Sequence, residues 1–336
     1  MFHGSVLKDE EKIDMFLART LGRKLFGPSF DYILFLRPRQ WPILTCQLAV
    51  GILSAPAVAA ALGKHPQESL DAFFSIELVI AWIAWVVCLN GGTLAFNSAY
   101  DRDEDDIAYL ARPPPPPQHL ALFSFLLMLT GAGLAFLVTP AFGLVTLGCV
   151  LMSIIYSHTV IRCKSIPGCD LAINMIGYGC GTTISGIMVG QVVLGSSHVI
   201  PNQTGWLLIA GFGLLFGSFY PLTQIYQVDT DRKHGDLTLA VALGTRKSLA
   251  LAIVIGIAAA IFLLGVAWQW NGPSAILPIL PLIGAMIGWT VMLAVWYHKA
   301  DGMDTVVHEK GMYLALIVWA VIDGAVLISR YGGFIL

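Results

Sequence analysis

Long apolar runs alternate with short polar breaks along the chain. The runs cover roughly residues 41–62, 75–98, 119–138, 140–160, 170–191, 204–225, 248–269, 275–297 and 312–330. Each is close to the roughly 20 apolar residues that carry a helix across a bilayer. The breaks hold residues that stop helices, such as Thr139-Pro140 after the third run and Asn271-Gly272-Pro273 after the seventh. No soluble domain and no repeat of fixed period interrupts the pattern. It predicts an all-α integral membrane protein, with about nine transmembrane helices bundled around a central cavity. Residues 1–36 read as an N-terminal segment and 37–336 as a single transmembrane domain. In the first segment Phe16, Leu17, Leu21, Leu25 and Phe26 interleave with Arg19, Arg23 and Lys24. That spacing suits a helix lying in the membrane interface.

Composition narrows the class. The chain is 57% hydrophobic and 12% charged, against about 25% charged in a soluble domain. A soluble fold and a disordered chain are both excluded. A net charge of −2 leaves no global basic field for nucleic acid. The six cysteines form no CxxC pair and read as small buried thiols. With nine spans, 17 of the 19 Lys and Arg residues fall on one side. The positive-inside bias makes that side, with the N-terminus, the cytoplasmic one.

Two acidic stretches end spans on that same side. The first is Asn97-Ser-Ala-Tyr-Asp101-Arg-Asp103-Glu104-Asp105-Asp106. On a continuing helix Asn97, Asp101 and Asp105 fall at i, i+4 and i+8, three oxygen ligands on one stripe. Like charges at that spacing repel unless a cation joins them. Mg²⁺ suits such a stripe, because it takes one or two carboxylates and completes its shell with substrate phosphate oxygens. The second stretch follows the sixth span and holds Gln227, Asp229, Asp231 and Asp236, with Gln227 and Asp231 again at i, i+4. Two acidic clusters facing each other across a bundle need divalent ions and a polyanion between them, and a diphosphate with Mg²⁺ meets that need. Arg37, Arg39, Arg102, Arg112, Arg162 and Lys164 are the basic candidates on the same face.

These residues resemble a known family. Asn97, Asp101 and Asp105 are similar to the first aspartate-rich motif of the UbiA superfamily of intramembrane prenyltransferases. The tract Asp231-Arg-Lys-His-Gly235-Asp-Leu-Thr238, running on to Leu243-Gly244, resembles the second motif and its tail. Tyr156-Ser157 with Arg162 and Lys164 resembles the basic stretch after the fourth helix, and Arg37-Pro-Arg-Gln-Trp41 the entry to the first. The resemblance implies that Mg²⁺ at both motifs holds the diphosphate of an isoprenyl donor. The metal-ligand set would be Asn97, Asp101, Asp105, Gln227, Asp229 and Asp231, with Arg37, Arg162 and Lys164 on the diphosphate. Asp101, Asp105 and Asp231 would be the catalytic carboxylates. Ionisation of the donor gives an allylic cation, which a hydrophobic acceptor captures. One departure is clear: the second motif is DxxxD in the family, and Gln227 stands where its first Asp would be. Asp229 and Asp236 are the nearby acids that would substitute.

The expected activity is therefore a Mg²⁺-dependent prenyltransferase with an aromatic or lipid-like acceptor, working in the membrane. A terpene cyclase acting on the donor alone is the alternative within the superfamily. A cation transporter using the acidic clusters is the alternative from another class, although transporters usually carry repeat halves with broken helices at the midplane.

Overall fold

The computed structural model describes residues 19–64, 74–101, 110, 113–272 and 276–332. Its regular elements are helices. A bent pair, Pro38–Ser54 and Pro56–Gly63, makes the first crossing, α1. Eight single helices follow that are long and apolar enough to span a membrane: α2 (Ile76–Asp101), α3 (Leu120–Val138), α4 (Pro140–Ser157), α5 (Cys169–Val193), α6 (Gln203–Ile225), α7 (Thr245–Asn271), α8 (Leu277–Gly302) and α9 (Thr305–Tyr331). The polytopic membrane architecture expected from the hydropathy pattern is what the chain adopts.

Two departures from the apolar runs have physical causes. The first run is a single stretch in sequence but bends by 67° at Ala55. Pro56 brings no N–H to the helix and pushes the residue before it out of the helical region, and Ala55 is extended with ψ 135°. The ninth helix begins seven residues before its apolar run, at Thr305, because Asp304 caps it by accepting from the Val307 N–H at 2.8 Å. Its first turns carry His308, Glu309 and Lys310, which hydropathy alone excludes.

The helices close into a ring. Neighbours pack in chain order from α2 to α9, and α9 and α5 both pack against α1. The α1–α5 contact is a close one. A Cβ built on Gly186 would lie 2.4 Å from the Leu48 carbonyl oxygen, and one on Gly190 would lie 2.5 Å from that of Ile52. Lipid tails are as apolar as leucine, so close backbone approach through small residues is what joins helices in a bilayer. The alternation of spans places Asp101, Ser157, Cys169, Ile225 and Thr245 at one end of the bundle. Lys64 and Arg330 sit at the other, where Arg330 lies over the Trp270 ring at 4.8 Å. Upstream of α1, residues 19–26 are helical and leave Leu21, Leu25 and Phe26 exposed, while Arg23 grips Asp31 with two hydrogen bonds of 3.0 and 2.9 Å.

Candidate active site

The ring encloses a cavity of about 260 Å³, walled by α1, α2, α4, α5, α6, α9 and the segment after α6. Of the residues nominated from sequence, Arg37, Asn97, Asp101, Lys164, Gln227 and Asp231 all line it. Helix α2 continues through Asp101, so Asn97 and Asp101 share a face as the i, i+4 spacing requires. Asp105 lies outside the described residues, as do Arg102 and Arg112. Asp229 does not reach the cavity. Its side chain is 84% exposed and, among the described residues, meets the exposed Arg232 at 3.7 Å.

The charged end of the cavity is a compact ion-pair cluster. Lys164, on the short 3-10 turn Cys163–Ser165, hydrogen-bonds Asp101 and lies 3.1 Å from Asp236. Arg162 donates from Nε and Nη2 to the two Asp236 oxygens at 2.9 and 3.0 Å, and its Nη2 is 3.6 Å from Asp101. Ser165 donates a further hydrogen bond to Asp236. Asp236 also lines the cavity and is held there by the basic stretch after α4. Burial alone would raise its carboxyl, but the hydrogen bonds from Arg162 and Ser165 and the charge of Lys164 outweigh that and bring it down to about 2. Asp231 goes the other way. Burial raises it to about 6, with the Thr238 hydroxyl donating to it at 3.0 Å and Lys164 opposing the rise through its charge.

Backbone strain marks the same place. Among the described residues, the non-glycine positions with left-handed backbone are Arg37 (φ 49°) and Arg162 (φ 44°), two of the nominated cations. Such a conformation costs on the order of 1 kcal/mol or more and gathers at sites where function requires it. Arg37 is buried and donates to Ser98 Oγ at 2.8 Å. Asn97 Oδ1 accepts from Ser157 Oγ at 3.1 Å, which ties α2 to α4 beside the cluster.

A second network was not foreseen as part of the site. Asp170 reads in sequence as a helix cap, but Gly168 is the N-cap and Asp170 sits in the first turn, where its Oδ1 accepts from the Gly168 and Leu171 N–H groups at 2.8 Å. Its Oδ2, however, accepts from Gln224 Nε2 at 2.8 Å and from the Leu239 N–H at 2.9 Å. Gln224 in turn accepts from the Ala240 N–H and donates to Tyr220 Oη, which meets Tyr156 Oη at 2.8 Å. A fully buried carboxylate with four N–H donors is offset against its desolvation. The network anchors the segment after Asp236 to α5 and α6. The signal available in sequence was a polar residue inside an apolar run, at Gln224 and likewise at Gln47. Gln47 donates from α1 to the Tyr178 and Gly179 carbonyls at 3.3 and 3.2 Å, which belong to a π-helical turn, Met175–Cys180, within α5. A second π-helical stretch, Ile83–Gly91, lies in α2. Such turns recur where helices line functional sites.

Away from the charges the wall is aromatic and apolar. Trp85, Tyr178, Phe216, Phe219 and Trp319 line it, with Tyr178 stacked on Phe216 at 5.2 Å and Trp319 edge-on to Phe216 and Phe219 at 5.8 and 5.7 Å. Aromatic faces attract a cation by about 0.5 to 2 kcal/mol each. The cavity therefore joins a charged end able to hold a metal-bound polyanion to a largely aromatic and apolar interior able to hold an apolar chain.

Comparisons with known proteins bear on what such a cavity belongs to. A model described as the UbiA prenyltransferase family matches residues 48–317. A lycopene elongase/hydratase of Haloferax volcanii is 25% identical over 308 residues, 89% of this chain and 92% of that protein. A digeranylgeranylglyceryl phosphate synthase of Methanosphaera stadtmanae is 23% identical over 255 residues, 74% of this chain and 88% of the relative. Among solved structures, a UbiA homolog from Archaeoglobus fulgidus bound to DMAPP and Mg²⁺ aligns with a TM-score of 0.59 at 18% identity, covering 88% of this chain and 99% of its own.

Proposed function

Because the chain belongs to the UbiA prenyltransferase family, we propose that it is a Mg²⁺-dependent intramembrane enzyme that transfers a prenyl group from an isoprenyl diphosphate to an aromatic or lipid-like acceptor. The observation that carries this reading is the convergence of Asn97 and Asp101 from α2 with Gln227 and Asp231 from beyond α6 on one cavity, beside Lys164 and Arg37. Relatives bound to DMAPP and Mg²⁺, or to GPP and Mg²⁺, support the donor class.

The residues present fit the metal. Their donors are hard oxygens, two carboxylates and two carboxamides, and Mg²⁺ is bound through one or two carboxylates together with substrate phosphates rather than by a closed protein cage. Asn97, Asp101, Gln227 and Asp231 would hold it, with Asp105 as the further acid of the first motif. When bound, Mg²⁺ neutralises and orients the diphosphate leaving group. Lys164 sits between Asp101 and Asp236 and is placed to turn toward the arriving phosphates, with Arg37 on the same cavity wall and Arg162 bracing Lys164 through Asp236. The allylic C–O bond breaks, its electron pair leaves with the diphosphate, and the aromatic wall shields and stabilises the cation. The acceptor then bonds to the allylic carbon and releases a proton. Asp101, Asp105 and Asp231 are the carboxylates on which turnover depends.

Residues 37–336 act as one catalytic domain, with residues 1–36 as an N-terminal segment on the cytoplasmic side. The bias of 17 in 19 basic residues toward the end that holds the cluster supports that orientation. Purified chain in detergent would be given geranyl, farnesyl or geranylgeranyl diphosphate with Mg²⁺ or EDTA, with and without an acceptor panel, and the extracts analysed by mass spectrometry. Mg²⁺-dependent product only with an acceptor is the expected result. A cyclic product from the donor alone would replace this reading with a cyclase, and absence of Mg²⁺-dependent donor binding would end it.

A further inference from the structure

The turn that carries Tyr178 is held in shape from other helices. Met175–Cys180 is π-helical, and the Gly181 N–H after it reaches back five residues to the Ile176 carbonyl. Such a turn is rare in a helix. Its own sequence supports it poorly, because glycines stand on both sides of Tyr178 and each costs about 1 kcal/mol in a helix. Two tertiary contacts fix it instead. Gly179 faces α6, where an added Cβ would lie 2.7 Å from Gly213 Cα and 2.8 Å from the Phe212 carbonyl oxygen. From α1, Gln47 Nε2 donates to the Tyr178 and Gly179 carbonyls at 3.3 and 3.2 Å and reaches Thr183 Oγ1 at 3.4 Å.

Joining α1 to α5 does not require Gln47. A Cβ on Gly51 would lie 2.7 Å from the Thr183 carbonyl oxygen, so small residues already bring the two backbones together. A buried carboxamide at membrane depth is costly and tends to mark function. What this one secures is the Tyr178 ring. The ring lines the cavity, lies at 10° to Phe216 and keeps part of its surface exposed. Side chains on a helix tilt toward its N-terminus, which for α5 is the end that holds the ion-pair cluster. The charge of Arg37 acts on the Tyr178 hydroxyl. The ring therefore stands just inside the charged end, where the allylic carbons of a bound donor would lie. We propose that Gln47 is a positioning residue, which by holding the π-turn keeps the Tyr178 face, backed by Phe216, against the allylic cation. A turn relaxed to ordinary α-helix would rotate Tyr178 by about 100° against the residues beyond it. This rests on the prenyl-transfer reading above.

The test is equilibrium binding to the full-length chain in detergent with Mg²⁺. One probe is geranyl thiodiphosphate, a donor analogue that does not ionise. The other is a tertiary ammonium analogue of the geranyl cation, with nitrogen in place of the third carbon, given together with inorganic diphosphate. Gln47→Met fills the same space but cannot donate. It should weaken ammonium binding by about three- to thirtyfold, the worth of a cation–π contact, and leave thiodiphosphate affinity within about twofold of wild type. Gln47→Asn, too short to reach the turn, should do the same and serves if Gln47→Met fails to fold. Tyr178→Leu should cost the ammonium probe as much, and Gln47→Met should then add nothing, because both act through one ring. Unchanged ammonium binding in the Gln47 variants overturns the inference, as does a loss that adds to that of Tyr178→Leu. An equal fall in thiodiphosphate affinity would make Gln47 a packing residue and overturns it too, as does a wild-type chain that binds the thiodiphosphate but not the ammonium probe. Failure of Mg²⁺-dependent thiodiphosphate binding itself is a separate readout, and it would strike the prenyl-transfer reading instead.

Discussion

The two acidic motifs sit on one cavity but in opposite electrostatic states. Asp101 of the first is paired with Lys164 and has Arg162 at 3.6 Å. Asp231 of the second takes only a hydroxyl, from Thr238, and among the described residues no cation lies within ion-pair distance of it. The first carboxylate is ion-paired before any ligand arrives. The second is raised by burial to about 6, so at neutral pH it holds its charge by a narrow margin. The motif with the neutral Gln227 is therefore also the one whose remaining acid most needs a metal. On the proposed reading the site has a half that is already ion-paired and a half that ligand binding would complete.

Substitutions would test that division. Asp101→Asn should have the largest effect, lowering kcat/KM by roughly 10²–10³-fold, the usual cost of removing a group that stabilises developing charge. The protein should still elute as a folded species in detergent, and turnover within tenfold of wild type would break the comparison. Asp105→Asn should behave alike. Asp231→Asn should cost about 10²-fold and, unlike Asp101→Asn, should act mainly by raising the Mg²⁺ concentration needed for half-maximal rate. Acid should separate the motifs in the same sense. Protons compete with Mg²⁺ for a carboxyl whose ordinary value is raised, so donor binding should weaken as pH falls through about 6, and Asp231→Asn should flatten that dependence. Asp236→Asn should act through stability first. It leaves the buried Lys164 and the partly exposed Arg162 with one carboxylate between them, a loss of about 2 kcal/mol, readable as a lowered thermal midpoint. Asp229→Asn should be the mildest, within about twofold in rate, since an exposed pair is worth about 0–1 kcal/mol.

The architecture was legible in sequence because hydropathy reports the one thing a membrane demands, a row of apolar residues long enough to cross. Asn97 and Asp101 were legible for a related reason, since helical spacing predicts that they share a face. The bend at Ala55 was visible only as a proline inside an apolar run, and the early start of α9 not at all, because its first turns are polar. The partners of Asp236 and Asp170 were illegible. Asp236 meets Arg162 across 74 positions and Asp170 meets Leu239 across 69, and no local pattern encodes which loop meets which.

The proline-broken first crossing also shapes the lipid around the protein. Its straight part, Pro38–Ser54, has 17 residues, about 25 Å at 1.5 Å per residue. The remainder runs at 67° to it and adds only about 5 Å along the same direction. Together they just match a hydrocarbon layer of about 30 Å, whereas the 27 residues of α7 reach about 40 Å. Acyl chains beside α1 need not deform, while beside α7 they stretch or the helix tilts. Turnover in vesicles should accordingly depend on lipid chain length.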